Sequence, residues 1–260
     1  MKYVSGDASR IFINTTLGCD SNCSYCYLGS QGISTGKKTD TPLSAYSLID
    51  RLRKLPYFQK GKFGTILSIG CYSECWSPSN VSITIELIKL LINFGNPIQF
   101  ATKRVVHDWQ LQEISTLQHW IGQLSVFVSC SSISQWRTYE KGTSRPIDRF
   151  GSLPKIKRLG VNIFIYMKPV IESVTITDIL EYCKVLDACE CPIVVGDEFH
   201  YLEATPLQTT PQASIPSVGL YIKESKDIHK IIEILNEKGY IVFRNSISAV
   251  EFFRGDPDVK

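Results

Sequence analysis

The sequence has no apolar run of about 18 residues or more, which excludes a transmembrane helix, and no membrane partner is expected. Its first residues, MKYVSGDASRIFIN, have no signal-peptide pattern, so we expect a cytoplasmic protein. The net charge is only +3 and no basic stripe stands out, so charge neither requires nor excludes a nucleic-acid partner. The 4 histidines share no ligand spacing, and internal repeats are absent, which argues against a histidine metal centre and a solenoid.

Short runs of β-branched and aromatic residues alternate with amphipathic stretches, and such runs are typical of buried parallel strands. They lie at residues 11–14, 65–69, 98–101, 124–129, 161–166 and 192–195. Helices are predicted between them, at residues 84–94, 109–117, 147–159 and 178–186 and after the dipeptide Thr41-Pro42. Thr41 is interpreted as the cap of that helix and Pro42 as its first residue, with Leu43, Tyr46, Ile49 and Leu52 on one face.

This alternation of strands and helices predicts an α/β protein with a parallel sheet and right-handed crossovers. A closed barrel of eight such units needs about 250 residues. The alternation here ends near residue 200, so a partial (β/α)6 TIM-type barrel is predicted for residues 1–203. Residues 204–217, with three prolines, are predicted to form a loop or linker, and residues 218–260 a small βαβ-like tail that packs on the barrel. Chemistry is expected at the carboxyl ends of the strands.

Nine cysteines are many for a chain in a reducing compartment, where metal ligands, catalytic thiols or buried residues are commoner than disulfides. Three of them, Cys19, Cys23 and Cys26, lie in GCDSNCSYCYL, directly after the first predicted strand. Thiolates suit iron–sulfur clusters, and a closed cluster takes four of them, so three would leave one iron open. A structural zinc site would need a fourth ligand, and the loop contains no histidine. The spacing therefore predicts a 4Fe-4S cluster.

The pattern Cys-x3-Cys-x-aromatic-Cys, with Tyr25 as the aromatic residue, resembles the motif of the radical S-adenosylmethionine superfamily. The resemblance implies that the open iron binds the amino and carboxylate groups of S-adenosylmethionine, with Tyr25 beside the adenine. It also implies reductive cleavage of that cofactor to a 5′-deoxyadenosyl radical, which abstracts hydrogen from a substrate. The electron would come from a low-potential donor such as flavodoxin or ferredoxin.

Further segments resemble the spore photoproduct lyase branch of this superfamily. They are SYCYLG, SIGCYSE (68–74), FATK (100–103), VSCSS (128–132), YEKGTSRPIDR (139–149) and the tail from residue 219 to 243. On this match Cys71 takes the position of a hydrogen-donating cysteine, assisted by Tyr27, and Lys103 that of a lysine near the cofactor. The ordinary alternative for Cys71 is a small buried residue. Glu140 and Arg149 match a Glu and an Arg that the family carries in the segment after its fourth strand.

Four further assignments follow from the resemblance, and each has an ordinary alternative. Ser73 and Glu74 are expected to bind the cofactor's ammonium group, or else belong to a plain loop. Lys103 pairs with the cofactor's carboxylate or is solvated. Ser129 and Ser131 reach the ribose or merely end a strand. Glu140 and Arg149 either contact the cofactor or form a structural ion pair with each other.

The substrate stays open at this point. By this resemblance we expect the chain to lack the lyases' N-terminal extension and much of the segment before the tail, where their lesion-contacting residues lie. A DNA lesion, a peptide and a small metabolite are therefore all retained as substrates, and a non-catalytic iron–sulfur sensor or scaffold is the alternative from another class. Cys183, Cys189 and Cys191 are interpreted as core or surface thiols rather than ligands of a second cluster.

Overall fold

The computed structural model describes residues 3–29, 32–37, 41–201 and 220–255. Its strands are β1 (Val4–Gly6), β2 (Arg10–Ile13), β3 (Asn22–Cys23), β4 (Ile66–Ile69), β5 (Ile98–Thr102), β6 (Leu124–Ser129), β7 (Glu140–Lys141), β8 (Asn162–Met167), β9 (Ile193–Val195), β10 (Glu198–Tyr201), β11 (Leu220–Lys223) and β12 (Val242–Phe243). Its α-helices are α1 (Ala45–Arg53), α2 (Val81–Ile92), α3 (Asp108–Leu117), α4 (Trp136–Tyr139), α5 (Pro146–Gly151), α6 (Leu153–Lys157), α7 (Ile179–Cys189), α8 (Ile228–Glu237) and α9 (Ser246–Arg254). One turn of 3-10 helix, Thr175–Asp178, leads into α7.

The central sheet has 8 strands in the order β1-β2-β4-β5-β6-β8-β9-β12. Every neighbouring pair in it is parallel except β1 and β2, which form an antiparallel hairpin. The six predicted runs form β2, β4, β5, β6, β8 and β9, so the predicted α/β fold is confirmed. Within the described residues β1 and β12 pair with no further strand of this sheet, so the barrel is incomplete.

Successive side chains of the strands point to opposite faces of the sheet, and this separates two apolar regions. On the outer face, Ile11 and Ile13 of β2 pack in the large core that the helices cover. On the inner face a smaller cluster contains Phe127 of β6 and Phe164 of β8, with ring centroids 4.5 Å apart. Ala249 and Val250 of α9 belong to this inner cluster, so α9 fills part of the barrel interior.

The first helix begins three residues later than predicted. Ser44 is its cap, because the backbone there is extended and the Ser44 hydroxyl accepts a hydrogen bond from the backbone N–H of Ser47. Leu43 cannot belong to the helix, since its backbone N–H donates to Thr15 O at 2.9 Å. The predicted apolar face is also wrong at Tyr46, which is 64% exposed.

The single helix predicted over residues 147–159 is two short helices, α5 and α6, which meet at Ser152. Pro154 has no N–H to continue the hydrogen-bond ladder, which explains the break. The Ser152 hydroxyl donates to Arg149 O at 2.8 Å and so satisfies a carbonyl at the end of α5.

The C-terminal tail takes part in the sheet. Its first strand, β11, pairs antiparallel with β10, whereas β12 pairs parallel with β9 of the main sheet. Helix α9 was not predicted, although Asn245 caps its start and Gly255, at φ +72°, follows its end. The linker predicted at 204–217 lies outside the described residues. None of the helices described is long and apolar enough to cross a bilayer.

Candidate functional site

A cavity of about 870 Å³ opens at the carboxyl ends of the parallel strands and runs into the barrel. The loop after β2 contributes the predicted cluster cysteines, and the loop after β4 contributes Cys71, Ser73 and Glu74. Strand β5 is followed by Lys103, and β6 ends at Ser129. The predicted residues that line this cavity are Cys19, Cys23, Tyr25, Cys26, Tyr27, Cys71, Ser73, Glu74, Lys103 and Ser129.

The cysteine loop is fixed by hydrogen bonds to several parts of the chain. Gly18 N donates to Tyr72 O at 2.9 Å, and Cys19 N donates to Ser34 O at 3.0 Å. The two-stranded ladder of β3 and β7 places Cys23 directly opposite Glu140. These long-range contacts give the three thiols fixed positions that the local sequence alone could not impose.

The donor chemistry of the loop fits an iron–sulfur cluster. All three thiols are partly exposed to the cavity. Burial and the Glu74 carboxylate raise the pKa of Cys19 to about 12. Burial, with Glu140 and against the opposing effect of Lys103, raises the pKa of Cys23 to about 11. The thiols are therefore protonated without metal, and cluster binding would release their protons.

No three His, Cys, Asp or Glu side chains of the described residues surround one point closely enough to hold a single metal ion. A 4Fe-4S cluster does not require such convergence, because each thiolate binds a different iron.

Ser73 and Glu74 offer a polar surface beside the cysteines. The Ser73 hydroxyl is buried and has no hydrogen-bond partner among the described residues. The Glu74 carboxylate accepts from Trp76 N at 3.0 Å, Thr102 Oγ1 at 2.6 Å and Lys103 N at 2.9 Å, and these bonds fix its orientation. A buried hydroxyl without a partner is costly, and a polar ligand in the cavity would remove that cost.

A buried polar network lies behind the cavity wall and centres on Glu140. The Tyr25 hydroxyl donates to Glu140 Oε1 at 2.7 Å, and Ser131 N donates to the same oxygen at 2.8 Å. Arg149 Nη2 donates to Glu140 Oε2 at 2.7 Å. Lys103 Nζ lies 3.5 Å from Glu140 Oε1 and also donates to the Ser129 hydroxyl.

This network separates two groups of predicted residues. Glu140 and Arg149 are completely buried, and neither they nor Ser131 line the cavity, so the geometry favours the structural ion pair. Tyr25 and Lys103 line the cavity and are positioned by Glu140. Direct cofactor contacts of Glu140, Arg149 and Ser131 remain predictions.

Cys71 and Tyr27 meet inside the cavity. The Tyr27 hydroxyl donates to Cys71 O at 3.0 Å and lies 3.7 Å from Cys71 Sγ. Burial raises the pKa of the Cys71 thiol, although Tyr27, Arg10 and Lys168 act in the opposite direction. The thiol is therefore protonated at neutral pH and carries a hydrogen next to the cavity.

The other cysteines lie away from this cavity. Cys183, Cys189 and Cys191 are buried in the outer core, which decides between the core and surface positions expected for them, and the Cys189 thiol donates to Phe150 O at 3.7 Å. Trp76 is also structural, because its ring stacks on Phe100 with centroids 4.5 Å apart.

Sequence reasoning missed a second group of cavity residues. Arg10, Lys168, Asp197 and Arg244 also line the cavity. A signal existed for Arg10, since it shares the inward face of β2 with Phe12 by strand alternation. Asp197 and Arg244 come together only through the pairing of β9 with β12, which local patterns do not reveal.

Gly70 holds the turn that places Cys71 and Ser73 in the cavity. Its φ is +85°, and an added Cβ would lie 2.9 Å from the Cys75 Cβ. We expect Gly70→Ala to lower the free energy of unfolding by about 2 kcal/mol, measured by urea denaturation. Gly151→Ala is the matched control, since nothing lies within 4 Å of its added Cβ and alanine favours the helix. Equal stability of Gly70→Ala and the parent protein would show that the turn is not constrained.

Solved structures with this architecture were found by structural comparison. A mutant of spore photoproduct lyase with dinucleoside spore photoproduct superposes with a TM-score of 0.63 at 14% identity, covering 92% of this chain and 78% of that chain. The lyase complexed with dinucleoside spore photoproduct superposes with a TM-score of 0.63 at 15% identity, with the same coverage of both chains. The chain has the fold of spore photoproduct lyase. Streptococcus suis SuiB bound to S-adenosylmethionine superposes with a TM-score of 0.58 at 13% identity, covering 90% of this chain and 49% of SuiB.

The fold that the resemblance implies, that of spore photoproduct lyase, is therefore confirmed by these superpositions. No protein-family profile matches the chain. No curated protein matches its sequence either. At identities of 13–15%, the lyase fold is what these comparisons establish.

Proposed function

We propose that this protein is a radical S-adenosylmethionine enzyme, with a 4Fe-4S cluster on Cys19, Cys23 and Cys26. The observation that carries the proposal is the shared cavity: the three thiols and the polar groups of Ser73 and Glu74 line one wall of it. Together the cluster and S-adenosylmethionine would supply a 5′-deoxyadenosyl radical that takes a hydrogen atom from a substrate. A low-potential donor such as flavodoxin or ferredoxin would supply the electron.

The polar residues of the cavity would orient the cofactor. The fixed carboxylate of Glu74 and the unpaired hydroxyl of Ser73 suit an ammonium group, which donates hydrogen bonds. The Lys103 ammonium suits the neighbouring carboxylate. Burial lowers the pKa of Lys103, but Glu140 and Cys23 outweigh this and raise it, so the cation persists at neutral pH. Tyr25 lies beneath it, 5.5 Å from Nζ to ring centroid, and would contact the adenine.

Cys71 would return a hydrogen atom to the product. Its S–H bond breaks as a C–H bond forms on the substrate-derived radical, which leaves one unpaired electron on sulfur. The Tyr27 hydroxyl, 3.7 Å from that sulfur, is placed to restore the hydrogen and take over the unpaired electron. Since the Cys71 thiol has a raised pKa, its hydrogen is present throughout the neutral range.

The proposal is tested by reconstituting the full chain anaerobically with iron and sulfide and counting bound iron. Reductant and S-adenosylmethionine are then added, and 5′-deoxyadenosine is followed by chromatography with and without a spore-photoproduct dinucleotide. Formation of 5′-deoxyadenosine supports the proposal, and restored thymines would assign the lesion as substrate. A loaded cluster that yields no 5′-deoxyadenosine would refute it and favour the sensor or scaffold.

Replacing Cys71 by alanine should separate radical formation from hydrogen return. In deuterium oxide the wild-type thiol exchanges, so its deuterium should appear in the product, whereas Cys71→Ala should lose this label. Mass spectrometry of the product measures the label once a substrate is identified. Cys183→Ala is the matched control, since that thiol is buried on α7 away from the cavity. Undiminished label in Cys71→Ala would exclude Cys71 as the donor.

A further inference from the structure

The cavity wall also contains charged side chains that the proposed radical chemistry does not use. Arg10, Lys168 and Arg244 are cationic, and Asp7 and Asp197 are anionic. Cations thus exceed anions among these side chains. This excess of positive charge suits a substrate that carries negative charge.

Arg10 is the central feature of this wall. Its Nε donates to Ser68 Oγ at 2.8 Å, and its guanidinium carbon lies 4.4 Å from the centroid of the Phe12 ring. Within the described part of the chain no carboxylate lies within 4.0 Å of its nitrogens, and its two terminal nitrogens have no hydrogen-bond partner. Both terminal nitrogens are therefore available to the cavity that Arg10 lines.

A guanidinium without an anionic partner is costly where it is partly buried, as Arg10 is. Burial lowers the pKa of Arg10, against the opposing effect of Tyr166, Cys71, Tyr27 and Asp7. A partly buried guanidinium that faces a cavity and has no carboxylate beside it among the described residues suits an anionic ligand.

The position of Arg10 relates it to the reacting groups. Ser68, which accepts the hydrogen bond from Arg10 Nε, lies on β4 three residues before Cys71, and Arg10 and Cys71 both line the cavity. A ligand group held by Arg10 would therefore place the adjoining part of the ligand near Cys71.

A second polar area of the cavity wall contains Arg244 and Asp197. Arg244 Nη2 donates to Asp197 Oδ2 at 2.9 Å, while Arg244 Nη1 and Asp197 Oδ1 are buried with no partner among the described residues. The amino end of α9, where Asn245 caps the helix and Ser246 follows, also lines the cavity. A helix amino end favours negative charge.

We propose that Arg10 binds an anionic oxygen group of the substrate, a carboxylate or a phosphate, and presents the neighbouring carbon to Cys71. With Nε held by Ser68, the two terminal nitrogens form a fork that matches two oxygens of such a group. The whole cavity of about 870 Å³, cofactor space included, has the size of a small-molecule site. The substrate is thus a small anionic molecule. This inference rests on the proposed function for the role of Cys71 but not for anion binding itself.

The experiment measures anion binding to the full chain, before and after cluster reconstitution, with inorganic phosphate and acetate as separate probes at constant ionic strength. Nitrogen-15 NMR follows the Arg10 Nε–H signal, and thermal unfolding gives the change in Tm. One of the two anions should shift that signal and raise Tm, and which one does so distinguishes a phosphate from a carboxylate. Arg10→Gln should bind it roughly tenfold to hundredfold more weakly, and Arg10→Lys should show an intermediate loss.

Arg158→Gln is the matched control, because Arg158 is exposed at the end of α6 and should bind the anion as the wild type does. Arg10→Gln should have a Tm close to that of the wild type without anion, since it keeps a polar side chain at a partly buried position. No binding of either anion, or equal binding by Arg10→Gln, would overturn the inference. Anion binding without 5′-deoxyadenosine formation would instead refute the proposed function and leave this site standing.

Discussion

Replacing Cys26 by alanine is expected to reduce both bound iron and 5′-deoxyadenosine formation to background. The loop offers three thiols, and each would bind one iron of the cluster. Without Cys26 the cluster would have two protein ligands, which do not retain an iron–sulfur core through gel filtration. Iron is measured after that step, together with the charge-transfer absorbance of the cluster. Cys19→Ala and Cys23→Ala are expected to behave in the same way.

The matched control for this prediction is Cys183→Ala. Cys183 is buried on α7, so its loss should cost about 1 kcal/mol of stability and leave the iron content unchanged. Cys26 is only partly buried, and Cys26→Ala should therefore remain folded, which circular dichroism checks. A Cys26→Ala protein with full iron and full cofactor cleavage would show that the cluster is bound elsewhere.

The second large effect concerns stability. Arg149→Met should lower the free energy of unfolding by about 3–5 kcal/mol at neutral pH, because it leaves the Glu140 carboxylate buried with a weakened set of partners. Arg149 and Glu140 are both completely buried and are joined at 2.7 Å. Since Glu140 pairs with Cys23 in the β3–β7 ladder, the cysteine loop should loosen as well. Urea denaturation measures the change.

The pH dependence of this effect has a definite sign. Burial raises the pKa of Glu140, but Lys103 and Arg149 outweigh it and hold that pKa below its ordinary value of 4.5. The pair therefore stabilises the fold fully above about pH 4.5, and this contribution is lost as the pH falls through the lowered folded value. The loss of unfolding free energy caused by Arg149→Met should therefore become smaller at acidic pH, because Glu140 is then protonated in both the wild type and the variant.

Two further variants make the ion-pair prediction decisive. Arg145→Met removes an arginine of the same segment whose pair with Asp148 is exposed, and it should change stability little. The double variant Glu140→Gln, Arg149→Met removes both charges and should recover part of the loss. If Arg149→Met were as stable as Arg145→Met at neutral pH, the buried pair would not contribute as argued.

Several features of the protein follow from the sequence itself. The runs that form the central strands are short, apolar and β-branched, and such runs favour buried parallel strands wherever they occur. The spacing of Cys19, Cys23 and Cys26 places three soft ligands on one short loop, and no long-range contact is needed to recognise that chemistry. The position of this loop directly after the first parallel strand places it at the carboxyl end of the sheet.

Other features depend on contacts between distant residues, and only the tertiary structure decides them. Helix α1 begins at Ala45 because the backbone N–H of Leu43, just before it, donates to the carbonyl of Thr15. Nothing in the sequence near residue 42 indicates that contact. Glu140 and Arg149 turn away from the cavity because each satisfies the other inside the fold. Local patterns determine which elements form and which ligand types are present. Long-range pairing determines which side chains reach the cavity, since burial of a charge depends on what the rest of the chain places beside it.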